Sequence, residues 1–498
     1  MISKRALIFV LLLILSLGPR FELAAAPKPN ILFICVDDLK PLLRCYGDKQ
    51  IQSPNIDRLA KRGLLFQSAY CNQALCAPSR NSLLTGVRPT TSGIYDLGTN
   101  FRVSAPDVLT LPQYFMQHGY RAEGLGKIFH VGHGNHEDPT SWSVPHFPAK
   151  SIFYALPENR AKGLTREEAL FANQTSVGKL PRGAPYESAD VPDNTYPDGQ
   201  IADEAIRRLQ TSREHPGAFF LAVGFLKPHL PFCAPKKYWD LYQRDSFQVP
   251  TLRKPPEGAP PYAPTTWGEV RNYSDIPDVG PLDDDQARAL IHGYHAAVSF
   301  VDAQIGRVID ELDRLQLATN TIIVLWGDHG WHLGDHGMWS KHTNYEEATH
   351  IPLLIVAPGV TKPNTRTHSL VETVDLYPTL CDLAALPFPH NPQPLEGQSL
   401  VPILKNPSHK NKDAVFHVFP RNRRRDGAIL GRAVRTERYR LVEWKKPGAN
   451  SDTADFELYD YQTDPLETKN LASAQPDIVK TLEALLTAQP EAKPQVHP

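Results

Sequence analysis

Ile31-Leu32-Phe33-Ile34-Cys35-Val36, closed by Asp37-Asp38, is the run on which the fold turns. Six apolar residues in succession, without the alternation of a half-buried strand, read as a strand covered on both faces. Phe219 to Phe225, Thr321 to Trp326 and Pro352 to Ala357 repeat that character. Helical spacing runs from Ser53 to Arg62 and from Asp283 to Leu315, the second opened by the aspartate that a helix start prefers. Strands alternating with helices over so long a stretch predict an α/β sandwich with a large, mostly parallel sheet flanked by helices. Ligands bind such sheets beyond the carboxyl ends of the strands. There the chain carries Asp37-Asp38 and Gly327-Asp328-His329-Gly330. Three carboxylates suit a hard divalent cation, with the histidine a less typical companion. Either pair alone also reads as a solvated strand end or a helix cap.

A chain of 498 residues with a formal net charge of −1 has room for one large domain and a smaller one. Near-neutrality gives no global pull toward nucleic acid or an anionic membrane, so affinity for a charged substrate must be local. Lys4 and Arg5, an apolar run from Ala6 to Leu17, and Ala24-Ala25-Ala26 predict a signal peptide over residues 1–26. The run is shorter than the roughly 20 residues of a membrane span, which favours cleavage and a secreted or periplasmic protein over a retained anchor. Residues 27–404 form the expected catalytic domain. From 405 to 498 the pattern changes: Ala414 to Phe419, Ala428 to Thr436 and Tyr439 to Trp444 read as antiparallel strands, and Gln475 to Ala488 as a closing helix, an α+β subdomain. Residues 139–198 and 249–285 lack periodicity and read as long excursions that shape a substrate site. Six cysteines, one of them spoken for by the chemistry below, do not make a disulfide scaffold. Asn173-Gln174-Thr175 and Asn272-Tyr273-Ser274 accept N-glycans only in a eukaryotic secretory pathway.

Cys76-Ala77-Pro78-Ser79-Arg80, continued by Asn81 to Gly86, marks a loop entering a helix. Pro78 fits a first turn, where its missing N–H has no intrahelical partner to lose. Cys76 then lies at the helix start, where free N–H groups and the dipole favour an anion, and Arg80 adds a formal charge one turn on. The plain alternative is a buried cysteine packed as a small hydrophobe. Thiolate phosphatase chemistry is disfavoured by spacing: it uses five residues between cysteine and arginine, and here there are three.

The run Cys76 to Gly86 resembles the maturation site of the type I sulfatases, whose cysteine is oxidised to formylglycine. Further stretches carry the likeness along the chain: Gly126-Lys127-Ile128-Phe129-His130, Lys227-Pro228-His229-Leu230-Pro231-Phe232, Gly327 to Gly337, Ser340-Lys341-His342, Ala348 to Pro352 and Glu457-Leu458-Tyr459-Asp460. Together they are most similar to the iduronate-2-sulfatase branch of that family. The resemblance implies an alkaline-phosphatase-like sandwich and one Ca²⁺ per chain, bound by Asp37, Asp38, Asp328 and His329 together with residue 76. It implies that Arg80 orients the formylglycine, that Lys127 and His130 flank its hydroxyls, and that His229 and Lys341 meet the sulfate and its bridging oxygen. Cations are needed there because a sulfate ester's anionic oxygens repel a nucleophile. One hydroxyl of the hydrated aldehyde attacks sulfur; a base at the second, His130 by this reading, lets the aldehyde re-form and sulfate leave. His229 is the matching acid for the departing alkoxide.

The implied substrate is a sulfated sugar, an iduronate-2-sulfate-like uronic acid in a glycosaminoglycan or algal polysaccharide. The implied partner is a formylglycine-generating or equivalent maturation enzyme. Two other readings stay open: a phosphodiesterase or phosphonate monoester hydrolase of the same superfamily, and a silent binding protein with Cys76 unconverted. His332, Asp335 and His336 read as support for Asp328 and His329. Arg421-Asn422-Arg423-Arg424-Arg425 reads as a solvated basic turn, or as a grip on anionic sugar if it lies beside the pocket.

Overall fold

The structure, a computed structural model, describes residues 28–148, 153–160, 164–174, 180–215, 217–265, 268–390, 392–423 and 427–497. The predicted signal peptide lies outside the described residues. Ten strands precede residue 400 among those described: β1 (Asn30–Val36), β2 (Leu64–Tyr70), β3 (Arg121–Gly126), β4 (Tyr186–Ala189), β5 (Phe219–Phe225), β6 (Phe232–Pro235), β7 (Thr321–Gly327), β8 (His350–Val356), β9 (Thr365–Thr367) and β10 (Val371–Glu372). The large sheet runs β10-β2-β8-β7-β1-β5-β3, with β9 also on β2, while β4 pairs with β6 apart from it. Every pairing in the large sheet is parallel except those of β8 with β2 and β7.

The continuous apolar runs have the expected cause. Leu32, Ile34 and Val36 of β1 enter one core, and Ile31, Phe33 and Cys35 enter a second on the opposite face. The helix Asp284–Arg314 covers the first face; its start is fixed by a capping box in which Asp283 accepts from the Gln286 amide. Both sheet faces are thus dry, and only the strand ends are free to hold polar groups.

A second sheet, β11 (Ala414–Arg423), β12 (Gly427–Thr436), β13 (Tyr439–Lys445) and β14 (Asp455–Asp460), is antiparallel in that order. The helix Pro476–Thr487 closes one face, setting Leu482 and Leu486 against Val434, Leu441 and Leu458. This sheet braces the segment that carries Lys341: Asn344 Nδ2 donates to the Gly431 carbonyl at 3.0 Å, and the Tyr345 hydroxyl to Glu457 at 3.1 Å.

Candidate active site

Sheet register assembles the site. Val36 of β1 pairs with Gly327 of β7 and Phe225 of β5, and Gly224 of β5 pairs with Gly126 of β3. Four neighbouring parallel strands therefore end at one level, and Asp37, Asp328 and Lys127 are the first residues beyond three of them. Gly224 is required here, because a Cβ would lie 2.2 Å from the Lys127 carbonyl oxygen. Asp38 has φ of 58°, a left-handed conformation that aspartate tolerates better than most residues. That turn folds it back beside Asp37, with its amide donating to Asp328 Oδ1 at 2.9 Å.

The helix Cys76–Thr85 starts at Cys76 itself, behind Leu75, which gives no side-chain cap, and all ten of its residues are buried. Cys76 Sγ lies 3.3 Å from His329 Nε2, 3.6 Å from Lys127 Nζ and 4.0 Å from Asp38 Oδ1. Burial pushes this thiol well above its ordinary range and Asp37 adds to the rise, outweighing Lys127 and Lys341. As encoded, residue 76 is a protonated thiol, unlike the low-pKa thiolate of a cysteine phosphatase.

Arg80, with no exposed surface, ties the strand ends together. Its Nε donates to Asp328 Oδ2 and its Nη2 to Asp37 Oδ1, both at 3.0 Å, while Nη1 donates to the carbonyls of Lys127 and Ile128. Lys127 Nζ holds the other oxygen of Asp37. Burial opposes the Asp37 charge, yet Lys127 and Arg80 together keep its carboxyl well below the usual range. Lys341 Nζ donates to both oxygens of Asp38, at 3.0 and 2.9 Å, and pairs with Glu269 Oε2 at 2.9 Å. Burial disfavours its ammonium, but Asp38, Cys76 and Glu269 raise it well above an ordinary lysine.

The donor set fits a hard cation. Asp37, Asp38, Cys76 and His329 each offer a ligand atom, all within 4.8 Å of one another. His329 Nδ1 donates to the Gly330 carbonyl at 3.0 Å, which aims the Nε2 edge at Asp38 Oδ1 (3.4 Å) and Asp328 Oδ2 (3.6 Å). That edge therefore faces two carboxylate oxygens and, at 3.3 Å, the Sγ of Cys76, a ring of ligand atoms that a cation could bridge. Carboxylate oxygens with a single imidazole suit Ca²⁺ or Mg²⁺ better than a thiophilic metal.

Around Cys76 a cavity brings in the remaining sequence-predicted residues, His130, His229 and Lys341. His130 Nε2 lies 3.2 Å from His133 Nδ1. Burial first, then Lys127, holds His130 well below an ordinary histidine, which keeps the ring neutral. His229 Nδ1 donates to the Leu230 carbonyl at 2.5 Å, and its Nε2 lies 3.1 Å from Glu269 Oε1.

His133, Glu167, Phe171, Glu269 and His342 also line the cavity and were not among the residues read from the sequence. All but His342 lie in or beside the two aperiodic excursions, where a single acidic or imidazole side chain carries no spacing signal. His332 Nε2 bonds Thr343 Oγ1 at 3.0 Å, His336 stacks on Tyr345 at 5.2 Å, and Asp335 pairs with Lys40 at 3.8 Å. His332 and His336 thus buttress the chain just after Lys341, and Asp335 the turn that follows Asp38, rather than Asp328 and His329 directly. The basic run needs correction at Arg421. Its guanidinium donates to the carbonyls of Tyr262 (2.7 Å), Ala263 (2.8 Å) and His342 (2.7 Å), and burial brings it down to about 10. Arg421 is a strut, neither a solvated turn nor a grip on substrate; Arg424, Arg425 and the Arg423 side chain lie outside the described residues.

The sequence pattern of the Sulfatase family matches residues 29–386, and that of the N-sulphoglucosamine sulphohydrolase C-terminal region matches residues 334–492. Iduronate 2-sulfatase of Mus musculus is 37% identical over 90% of this chain and 91% of its own length. The Homo sapiens protein of the same name is 36% identical over 89% and 90%. A protein named sulfatase from Formosa agariphila is 32% identical over 90% of this chain and 83% of its own. In fold, the chain is similar to a protein solved with its substrate D-glucosamine-2-N,6-O-disulfate (TM-score 0.72, 23% identity, 93% of this chain and 97% of that one). It is also similar to the phosphonate monoester hydrolase of Agrobacterium radiobacter (TM-score 0.71, 21% identity, 93% and 95%).

Proposed function

The chain belongs to the sulfatase family, and from that premise we propose that it removes sulfate from a sulfated sugar, an iduronate-2-sulfate-like uronic acid, using a formylglycine made from Cys76 and one Ca²⁺. The observation that carries this reading is the seat of Cys76: the first residue of a buried helix, its Sγ 3.3 Å from His329 Nε2 and 3.6 Å from Lys127 Nζ. A thiol this buried and this reluctant to ionise is a poor nucleophile as encoded, which supports its conversion.

Asp37, Asp38, Asp328 and His329 would hold the cation, which supplies positive charge against the sulfate oxygens. A hydrated aldehyde at residue 76 supplies one hydroxyl to attack sulfur and a second whose deprotonation lets sulfate depart. Arg80 fixes Asp37 and Asp328 relative to each other, and Lys127 sets its ammonium beside residue 76 to draw negative charge toward it. His130, neutral and with Nδ1 lacking a partner among the described residues, takes the proton of the second hydroxyl. His229 and Lys341 stand on the leaving-group side and place N–H donors where the ester oxygen gains charge. His133 and His342 give the cavity ring nitrogens for a uronic acid carboxylate.

Among the described residues no helix is long and apolar enough to cross a membrane; the secreted or periplasmic placement rests on the predicted signal peptide. The deciding experiment is desulfation of a panel of defined sulfated saccharides, with an aryl phosphodiester alongside. Release of sulfate from a 2-sulfated uronic acid supports the reading. Turnover of the phosphodiester with no sulfate released from any saccharide would replace it with the phosphohydrolase alternative.

A further inference from the structure

Glu269 opens a short helical turn, Glu269–Asn272, in the aperiodic excursion 249–285, and reaches back into the cavity at 7% exposure. Each oxygen of its carboxylate meets a different nitrogen side chain: Oε1 lies 3.1 Å from His229 Nε2 and Oε2 lies 2.9 Å from Lys341 Nζ. Lys341 and His229 overcome the cost of burial and hold Glu269 ionised, well below the usual carboxylate range. The far side of His229 is pinned as well, since its Nδ1 donates to the Leu230 carbonyl at 2.5 Å, and Lys227 Nζ holds the carbonyls of His229 and Pro231 at 2.8 and 2.6 Å. Phe171 meets the imidazole edge-on at 5.6 Å. The ring therefore has one permitted orientation, and Glu269 defines where its Nε2 edge points.

We propose that Glu269 is the positioning residue for departure of the sugar alcohol: one carboxylate that aligns His229 Nε2 and Lys341 Nζ side by side at the ester oxygen. The proposal rests on the reading of His229 and Lys341 given above and adds the group that sets their geometry. Both His229 nitrogens face oxygen acceptors, so in the absence of substrate the Nε2–H is shared with Glu269. When the ester oxygen gains charge it competes for that hydrogen, and the proton passes from Nε2 to the alkoxide as the S–O bond breaks. Glu269 remains ionised throughout, and the ring left neutral stays held by its Nδ1–H on the Leu230 carbonyl until Nε2 is reprotonated from solvent. Without it the ring and the ammonium lose their common reference, and Lys341 retains only Asp38.

The test compares the mature enzyme with Glu269→Gln on two esters of one sulfate group, an alkyl sulfate with a poor leaving group and an activated aryl sulfate that needs no proton. The amide keeps the shape but can accept on one side only. The expected result is a fall of about 10²-fold in kcat on the alkyl ester, the cost of an angstrom-scale misplacement, with KM little changed. On the aryl ester kcat falls by about threefold or less, because general-acid assistance contributes little there. Equal losses on both esters, or a change confined to KM, would overturn the proposal. If the amide does not fold, Glu269→Asp, which keeps the charge but withdraws it by one methylene, is read by the same two ratios. A parent enzyme that released sulfate from neither ester would undo the functional reading instead, so the two failures are distinguishable.

Discussion

Replacing Arg80 with lysine keeps a positive charge and removes the fork. The guanidinium makes four hydrogen bonds from three nitrogens, to Asp37, Asp328 and two β3-end carbonyls. One ammonium cannot span Asp37 Oδ1 and Asp328 Oδ2, which the guanidinium reaches through different arms. Asp37 keeps Lys127, so the deficit falls on Asp328 and at least one carbonyl. Each buried acceptor left without a donor costs about 1–3 kcal/mol, giving about 2–6 kcal/mol in sum. Against a typical total of about 5–15 kcal/mol, Arg80→Lys folds with a reduced margin. Arg80→Ala leaves the carboxylates without their shared cation and costs about 3–5 kcal/mol from the broken pairs alone, before any cavity. Denaturant midpoints give the first quantity. Sulfate release gives the second, with kcat/KM for Arg80→Lys expected to fall by about 10²-fold or more as Asp37 and Asp328 lose registry. A lysine variant within about 0.5 kcal/mol of the parent and comparably active would refute the argument that the fork, rather than the charge, organises the site.

Stripping divalent ions with a chelator should lower both activity and unfolding temperature, with Ca²⁺ restoring both, because an ion that binds only the native state stabilises it by mass action; unchanged melting and activity would remove the metal from the account. His229→Ala should cost about 10²–10⁴-fold on esters with poor leaving groups and far less on an activated aryl sulfate; equal losses would take His229 out of the acid role. Glu137, pushed up to about 7 by burial, holds its proton in the native state where the unfolded chain has released it. Native protein thus binds more protons between about pH 4.3 and 7, and the Glu137 contribution to stability falls as pH rises through that window. Glu137→Gln, which can still accept from Trp142 Nε1, should gain on the parent across the same window by on the order of 3 kcal/mol; a pH-independent difference would show that Glu137 ionises normally.

The strand ends were legible because buried parallel strands leave nowhere else for charge. Asp37, Asp38, Asp328 and His329 follow continuous apolar runs, and the register of β1 with β7 brings them together. The long helix was legible through its capping residue and spacing, running from Asp284 to Arg314 against a reading of 283–315. The direction of β8 was not, since a strand buried on both faces has the same composition whether it runs parallel or antiparallel. Nor was β3: Arg121-Ala-Glu-Gly-Leu-Gly has two glycines and little strand propensity, and it is a strand because β5 pairs with it. The helix Cys76–Thr85 is buried on every side and so has no apolar stripe; its motif alone exposed it. Glu269 had neither periodicity nor motif, and only the folded excursion shows that it clamps two residues from distant parts of the chain.

Residue 76 is where the whole account meets a single observable. Intact-mass and peptide measurements on enzyme of known specific activity should find the segment bearing residue 76 lighter by about 18 Da than the encoded thiol, with activity proportional to the converted fraction. Fully active protein carrying only cysteine at position 76 would contradict it.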